Sequence, residues 1–433
     1  MIRLRELLCG RGACSASQGV PAVICGKLWQ SCVVLQQNRD LRRRAGTGRY
    51  QQVEQQERQT ERAPNENSED ILNLMNTNND YSVETDDPQN RDDFLSDFAR
   101  RKKQRLQQRY AYRPRADPKD TSILLFPGQG SQFVGMGKKL LQYPNVKKLY
   151  ELSSEILGYD LLNLCLNGPK EKLDKTEFCQ PAVFVTSLAA LEKLRDDLPS
   201  VIDKCVATAG FSVGEYAALV FSGMLEFEDA LNIVKLRGEQ MQAASEAVAG
   251  GMMSVFCGAE TQVGYACQVA TEYCKKKRNI ENPVCRIANY LCPEAKVVAG
   301  NIEALEFIKA NAKIFGIRRM KMLPVSGAFH TDLMIDVKQP LKSALNNIQI
   351  NKPLISVHNN VTAKRANQKS LVHHLVSQVY KPVKWEQTMH VLYSRDQGQS
   401  FPSTYELGPG KQLGTILRQI NSKAFRTYKS VEV

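Results

Sequence analysis

No stretch of the 433 residues approaches the ~20 consecutive apolar residues of a membrane-spanning helix. The longest candidates, around Ile123–Phe126 and Ala182–Ala190, suit a strand and a core helix. The twelve cysteines are scattered and include no C-x-x-C pair, and four of them (Cys9, Cys14, Cys25, Cys32) sit near the start. Free thiols in a reducing compartment therefore fit better than a disulfide framework. Histidine is scarce: the five (His330, His358, His373, His374, His390) show no metal-ligand spacing. His373 and His374 are adjacent on a predicted helix, so they diverge and belong at the surface. Two nucleotide motifs also fail. Gly128-x-Gly130 follows a strand, but Phe133 stands where G-x-G-x-x-G needs its third glycine. Gly408-Pro409-Gly410-Lys411 lacks the spacing and the Ser/Thr of a phosphate-binding P-loop. No metal and no nucleotide redox cofactor is expected.

What is present is ordinary in bulk and uneven in layout. Hydrophobic residues are 42% and charged residues 24%, enough for a sizeable buried core, and the length allows two or three domains at ~150 residues each. Residues 1–50 carry nine Lys/Arg against two acids, and Leu4, Leu7 and Leu8 would share one helical face. An Arg-rich, acid-poor start without a long apolar core reads as a mitochondrial transit peptide; a disordered basic tail is the alternative. Residues 51–117 are Gln-, Asn- and charge-rich, with few large apolar side chains. Such a segment cannot offset its own ordering entropy and reads as a linker, with Ile71–Met75 and Phe94–Phe98 as possible short helices. Its basic cluster Arg100–Arg109 has no adjoining folded motif or stacking platform, so no nucleic-acid partner is expected. From residue 118 the texture is that of a folded protein, with a net charge of +9, which favours an acidic partner or a phosphate-bearing substrate.

In that region Ser122–Phe126 reads as a buried strand entering the turn Pro127–Gly130, with helical patterns near 132–156 and 180–197. A strand at Lys204–Gly210 leads into a turn and a helix, and Glu226–Val248 is helical. Strands and helices alternating over short connections predict an α/β layered domain with a mostly parallel sheet, which the serine elbow at Gly210–Gly214 makes α/β-hydrolase-like. Residues 250–323 differ. They read as strand (Met253–Cys257), helix (Thr261–Lys276), two strands (Val284–Tyr290, Lys296–Gly300), helix (Ile302–Ala312) and strand (Arg318–Leu323), a ferredoxin-like split pattern. The larger domain then resumes with a strand at Leu354–His358, helices at 369–380 and 384–394, a strand at Thr404–Leu407 and a helix from Lys411. The layout is thus a large domain over 118–249 and 324–433 with a small one inserted at 250–323, and ligands favour the cleft between such units.

One motif carries chemistry. Gly210-Phe211-Ser212-Val213-Gly214 fits G-x-S-x-G, the nucleophile elbow, in the strand–turn–helix setting it requires. The glycines suit a cramped turn, and the helix that follows aims backbone N–H groups at a developing oxyanion. A serine in an ordinary turn is the plain alternative. A serine hydroxyl needs a base, and among the histidines His330 has the most suggestive setting, closing Leu323–His330 where the chain leaves the inserted unit. A buried structural histidine or a surface one is otherwise the default reading, and spacing alone does not decide it.

Further motifs extend the pattern. Phe126-Pro127-Gly128-Gln129-Gly130-Ser131-Gln132 resembles the opening of the malonyl-CoA:acyl carrier protein transacylases. So do Gln180-Pro181-Ala182, the elbow with Glu215, Arg237-Gly238 with Met241-Gln242, Leu323–His330, Pro382–Trp385 and Glu406–Lys411. The resemblance spans about 121–420 in order, and the leader points to the mitochondrial matrix. It implies Ser212 as the acyl-accepting nucleophile, His330 as its base, and Gln129 and Val213 as oxyanion N–H donors. It also implies Arg237 as the grip on the malonyl carboxylate, with Met241 one turn further along the same face; a solvated helix residue is the plain alternative for Arg237. In the family a backbone carbonyl, here that of Gln378, orients the histidine in place of an Asp. Asn289 falls at a pocket position. The A-F-H ending Ala328-Phe329-His330 resembles that of malonyl-selective members, whereas Phe211 departs from the His that bacterial members usually carry before the nucleophile.

The implied substrates are malonyl-CoA and acyl carrier protein bearing phosphopantetheine, in fatty acid synthesis. A serine hydrolase would share the elbow and release free malonate. A non-catalytic carrier-binding subunit would need the basic surface but not Ser212, His330 and Arg237 together.

Overall fold

The computed structural model describes residues 117–433. The leader expected over 1–50, and the linker expected over 51–117 apart from its last residue, lie outside the described residues. So do the short helices expected at Ile71–Met75 and Phe94–Phe98 and the basic cluster Arg100–Arg109.

Five parallel strands form the main sheet. The first, β1 (Ser122–Phe126), is buried along its whole length, as a central parallel strand covered on both faces must be. Its side chains alternate between two cores: Leu124 and Phe126 enter one, Ile123 and Leu125 the other. β2 (Cys205–Gly210) lies beside it, paired through Phe126 and Gly210 at the carboxyl end. Between them run the helices Val146–Leu157 and Thr176–Asp197, with three short helices, Leu161–Asn167, Lys170–Asp174 and Pro199–Asp203, that periodicity alone did not mark out. The helix expected near 132–156 begins only at Val146. Gly135, Gly137 and Asn145 all take left-handed φ values (100°, 88° and 69°), which a right-handed helix cannot include.

After the helices Gly214–Phe221 and Phe227–Ala247 the chain enters a second sheet. Here β3 (Gly250–Phe256), β4 (Cys285–Cys292), β5 (Ala295–Asn301) and β6 (Arg319–Met322) lie in the order β6-β3-β5-β4, each neighbour antiparallel. The helices Val263–Lys277 and Ile302–Ala310 cover one face. Met253, Val255 and Val298 point to those helices and Met252, Val297 and Ala299 to the main core, the period-2 alternation of a two-sided sheet. This is the ferredoxin-like arrangement, within an α/β fold.

The chain then returns to the main sheet through β7 (Ser356–His358), which pairs with β2, and the helix Leu371–Gln378. β8 (Val383–Lys384) crosses to the second sheet and adds a fifth strand, parallel to β4 at Asn289–Val383 and Tyr290–Lys384. Sequence pattern offered only a helix here, and the helix Trp385–Tyr393 does follow directly. β9 (Ser403–Glu406) and β10 (Tyr428–Ser430) complete the main sheet in the order β10-β9-β1-β2-β7. The carboxyl ends of β1, β2 and β7 thus converge on one edge, where open parallel sheets hold their ligands. All eight described cysteines are buried free thiols. Among the described residues no helix is long and apolar enough to cross a membrane, and no three His, Cys, Asp or Glu side chains cluster as metal ligands.

Candidate active site

At the end of β2 the chain reverses over Phe211, Ser212 and Val213 into the helix Gly214–Phe221. Its tightness excludes side chains: a Cβ on Gly210 would lie 1.9 Å from Gly214 O, and one on Gly214 would lie 1.9 Å from Pro127 O. Ser212 itself has φ +53°, a left-handed conformation that costs a non-glycine residue roughly 1–3 kcal/mol and persists only where surroundings impose it. One such constraint comes from Asn360, whose Oδ1 accepts from Ser212 N at 2.6 Å and whose Nδ2 donates to Gly210 O at 2.6 Å. Phe211, on the other side of the elbow, packs edge-on against Trp385 at 5.4 Å.

His330 reaches the serine from the segment that leaves β6. It too has a left-handed φ of +62°, and its N–H donates to Val379 O at 3.0 Å. Nε2 lies 3.0 Å from Ser212 Oγ, and Nδ1 lies 2.6 Å from Gln378 O. A carbonyl can only accept, so Nδ1 carries the proton and Nε2 offers its lone pair to the serine hydroxyl. Burial, and after it the positive charge of Arg237, push the imidazole down to about 3, against the pull of the Gln378 carbonyl. The ring is therefore neutral at physiological pH and able to accept a proton.

Arg237 is fully buried on the helix Phe227–Ala247, which excludes the solvated-helix alternative. Nη1 donates to Gln180 Oε1 at 2.6 Å; Nη2 donates to Gln378 Oε1 at 2.9 Å and to Ser212 Oγ at 3.0 Å. Its guanidinium stands 5.8 Å from the centre of the Tyr216 ring, and Nε has no partner. Burial lowers its affinity for a proton, while Tyr216 and Glu215 act the other way. Every acceptor it meets directly is neutral, so the site holds a buried cation without a contacting carboxylate.

Glu215 lies one turn beyond the nucleophile. Its Oε2 accepts from Gln378 Nε2 at 2.6 Å and Asn360 N at 3.1 Å, and its Oε1 has no partner. Burial raises it to about 7 in spite of those bonds and the Arg237 charge. Gln378 is thus shared: its carbonyl oxygen meets His330, its Oε1 meets Arg237, and its Nε2 meets Glu215 and Ser212 O (3.1 Å).

The Gln129 loop closes another side. Gly128 brings it against the elbow, since a Cβ there would meet Phe211 O at 2.6 Å and Ser212 Cβ at 3.2 Å. The Gln129 side chain is held by Thr176 Oγ1 at 3.0 Å and Gln180 Nε2 at 3.4 Å. Val213, the residue after the nucleophile, is buried at the start of the following helix. Met241 is buried near Gln180, whose Nε2 lies 3.5 Å from its Sδ. Asn289 lies on β4, buried with Oδ1 unpartnered, and among the described residues no hydrogen bond joins it to the serine group. Asn360 was not anticipated, although two polar residues, Asn359 and Asn360, directly after a strand of a buried sheet were a usable signal. Gln180 stood out only as part of a motif.

The model of the acyl transferase domain family matches residues 123–400. Over 325 residues, 75% of this chain and 83% of the other, the sequence is 53% identical to the human protein named malonyl-CoA-acyl carrier protein transacylase, mitochondrial. The corresponding probable transacylase of Drosophila melanogaster is 51% identical over 313 residues, 72% of this chain and 82% of its own. Among solved structures, the malonyl-CoA:acyl carrier protein transacylase of Xanthomonas oryzae superposes with a TM-score of 0.64 at 32% identity, covering 73% of this chain and 95% of that one.

Proposed function

We propose that this chain, which belongs to the acyl transferase domain family, moves a malonyl group from malonyl-CoA to the phosphopantetheine thiol of acyl carrier protein through an ester on Ser212. The observation that carries this is the buried guanidinium of Arg237 at 3.0 Å from Ser212 Oγ. A malonyl ester places its free carboxylate two carbons from the ester oxygen, within reach of that cation, and two parallel N–H donors suit a carboxylate. The names of the relatives support the same substrate.

In this mechanism Ser212 Oγ attacks the thioester carbonyl while His330 Nε2 takes its proton. Gln129 and Val213 supply the N–H groups for the oxyanion, each donor being worth ~10²–10³ in rate. The C–S bond breaks, His330 returns the proton to the departing thiolate, and the carrier thiol then runs the steps in reverse. Gln378 orients the imidazole, while Met241 and Asn289 line the acyl pocket. Intact-mass measurement after mixing with malonyl-CoA tests this: the wild type should gain one malonyl group and Ser212→Ala none. Undiminished transfer by S212A would falsify the assignment, and malonate release without a carrier would mark a hydrolase.

The same proposal extends to layout and location. Residues 250–323 act as an inserted domain, supported by a core of their own running from Met253 to Ile317. Residues 1–50 direct the chain to the mitochondrial matrix, supported by the Arg-rich start and the mitochondrial relatives. Removing residues 1–50 should abolish uptake by isolated mitochondria; unchanged uptake would locate the signal elsewhere.

A further inference from the structure

Asn360 lies two residues beyond β7, at the point where that strand's partner β2 turns into the elbow, Ala209 standing opposite His358 in register. It is fully buried, and each of its polar groups is bonded to a different part of the site. Its side chain spans the elbow, accepting from Ser212 N and donating to Gly210 O. Its main-chain N–H donates to Glu215 Oε2 at 3.1 Å, and its carbonyl accepts from Lys384 N, on β8, at 2.8 Å. Glu215 in turn accepts from Gln378 Nε2, and the Gln378 carbonyl holds His330.

We propose that Asn360 is a positioning residue for acyl transfer: it imposes the left-handed conformation on Ser212 and, through Glu215 and Gln378, sets the nucleophile against its base. The inference rests on Ser212 being the nucleophile. Without the Asn360 side chain, Ser212 N–H and Gly210 O lose their shared partner at a residue whose left-handed backbone has to be held. A displacement of about 1 Å at the reacting oxygen is enough to cost on the order of a hundredfold in rate. Binding of the acyl carboxylate lies with Arg237, which Asn360 does not touch.

The test measures single-turnover loading of Asn360→Ala and Asn360→Asp with malonyl-CoA and with acetyl-CoA, per folded molecule as given by thermal unfolding. N360A should load roughly tenfold to a hundredfold more slowly at saturating donor. The KM should stay within about threefold, and both donors should fall by the same factor. N360D keeps an acceptor for Ser212 N–H but turns an ionised oxygen toward Gly210 O, beside Glu215. Protonation gives it a donor again, so its rate relative to wild type should recover between pH 8 and pH 5.5, while that of N360A stays flat. Glu215, raised to about 7, is coupled to the new carboxylate, so the recovery belongs to that pair of carboxyl groups together, while Arg237 and His330 are common to both proteins. Loading by N360A within about twofold of wild type per folded molecule would overturn the proposal, as would an N360D deficit that is the same at every pH. If N360A does not fold, N360D decides. S212A, run alongside, tests the nucleophile separately: if it loads, that assignment fails whatever the Asn360 variants do.

Discussion

Replacing Arg237 by alanine separates what the cation does for malonyl from what it does for any acyl group. In the free site the guanidinium is satisfied by neutral oxygens of Gln180, Gln378 and Ser212, with nothing negative in contact. A malonyl carboxylate supplies the missing charge; an acetyl group leaves the cation buried and unpaired, which costs about 3–5 kcal/mol. Because the neutral acceptors already compensate part of that, the lower end applies, and ~3 kcal/mol is roughly a hundredfold preference. R237A should therefore lose about a hundredfold in malonyl loading while acetyl loading falls less than about tenfold, so that the two rates converge. The variant also strands the two glutamine oxygens, at ~1–3 kcal/mol each, and a lower melting temperature is expected. That loss is common to both donors and drops out when their rates are compared on one preparation. Arg237→Lys keeps the charge without the planar fork and should fall between. Equal losses for malonyl and acetyl would refute the carboxylate grip.

Four further outcomes are expected. Because His330 is held down to about 3 from 6.5, loading should not halve as pH falls from 7 through 6.5; a midpoint there would show a solvated imidazole. The same shift has a stability sign. The unfolded chain protonates His330 first, so the folded state loses stability as pH falls from 6.5 toward 3, and H330A should escape that loss. A wild-type minus H330A difference that stays constant over this window contradicts the burial argument. Gly210→Ala should cost about 3 kcal/mol, because the added methyl meets backbone at 1.9 Å. Gly158→Ala, with φ +82° but nothing within 4 Å, should cost about 1 kcal/mol; equal melting temperatures for the two would mean the elbow gives way easily. Finally, the net charge of +9 beyond residue 117 should make transfer to an acidic carrier protein fall with salt more steeply than transfer to free pantetheine. Parallel salt slopes would remove electrostatic steering.

The strands and the elbow were legible because each leaves a local mark. β1 is a short run, apolar from Ile123 on and ended by Pro127-Gly128, and the strands and helices of residues 250–323 switch cleanly between periods of 2 and 3.6. The left-handed glycines that delay the helix to Val146 are visible as letters, but their φ angles are not. β8 has only two residues and exists because β4 offers it an edge, a tertiary fact with no local pattern. The same holds for Asn360. An asparagine after a strand is usually a turn, and only the parallel alignment of β7 with β2 brings its amide to Ser212.

The nearness of Arg237 to His330 also bears on timing. After burial, the charge proposed to draw the acyl carboxylate in is the second cause holding the imidazole at low basicity. If Arg237 grips the carboxylate as proposed, a donor that brings its own anion offsets that charge as it binds, and the histidine becomes a stronger base when a proton must be taken. A donor without an anion meets the weaker base throughout. On that reading an anionic acyl group lifts part of the restraint on its own general base, while burial, the larger cause, stays in place.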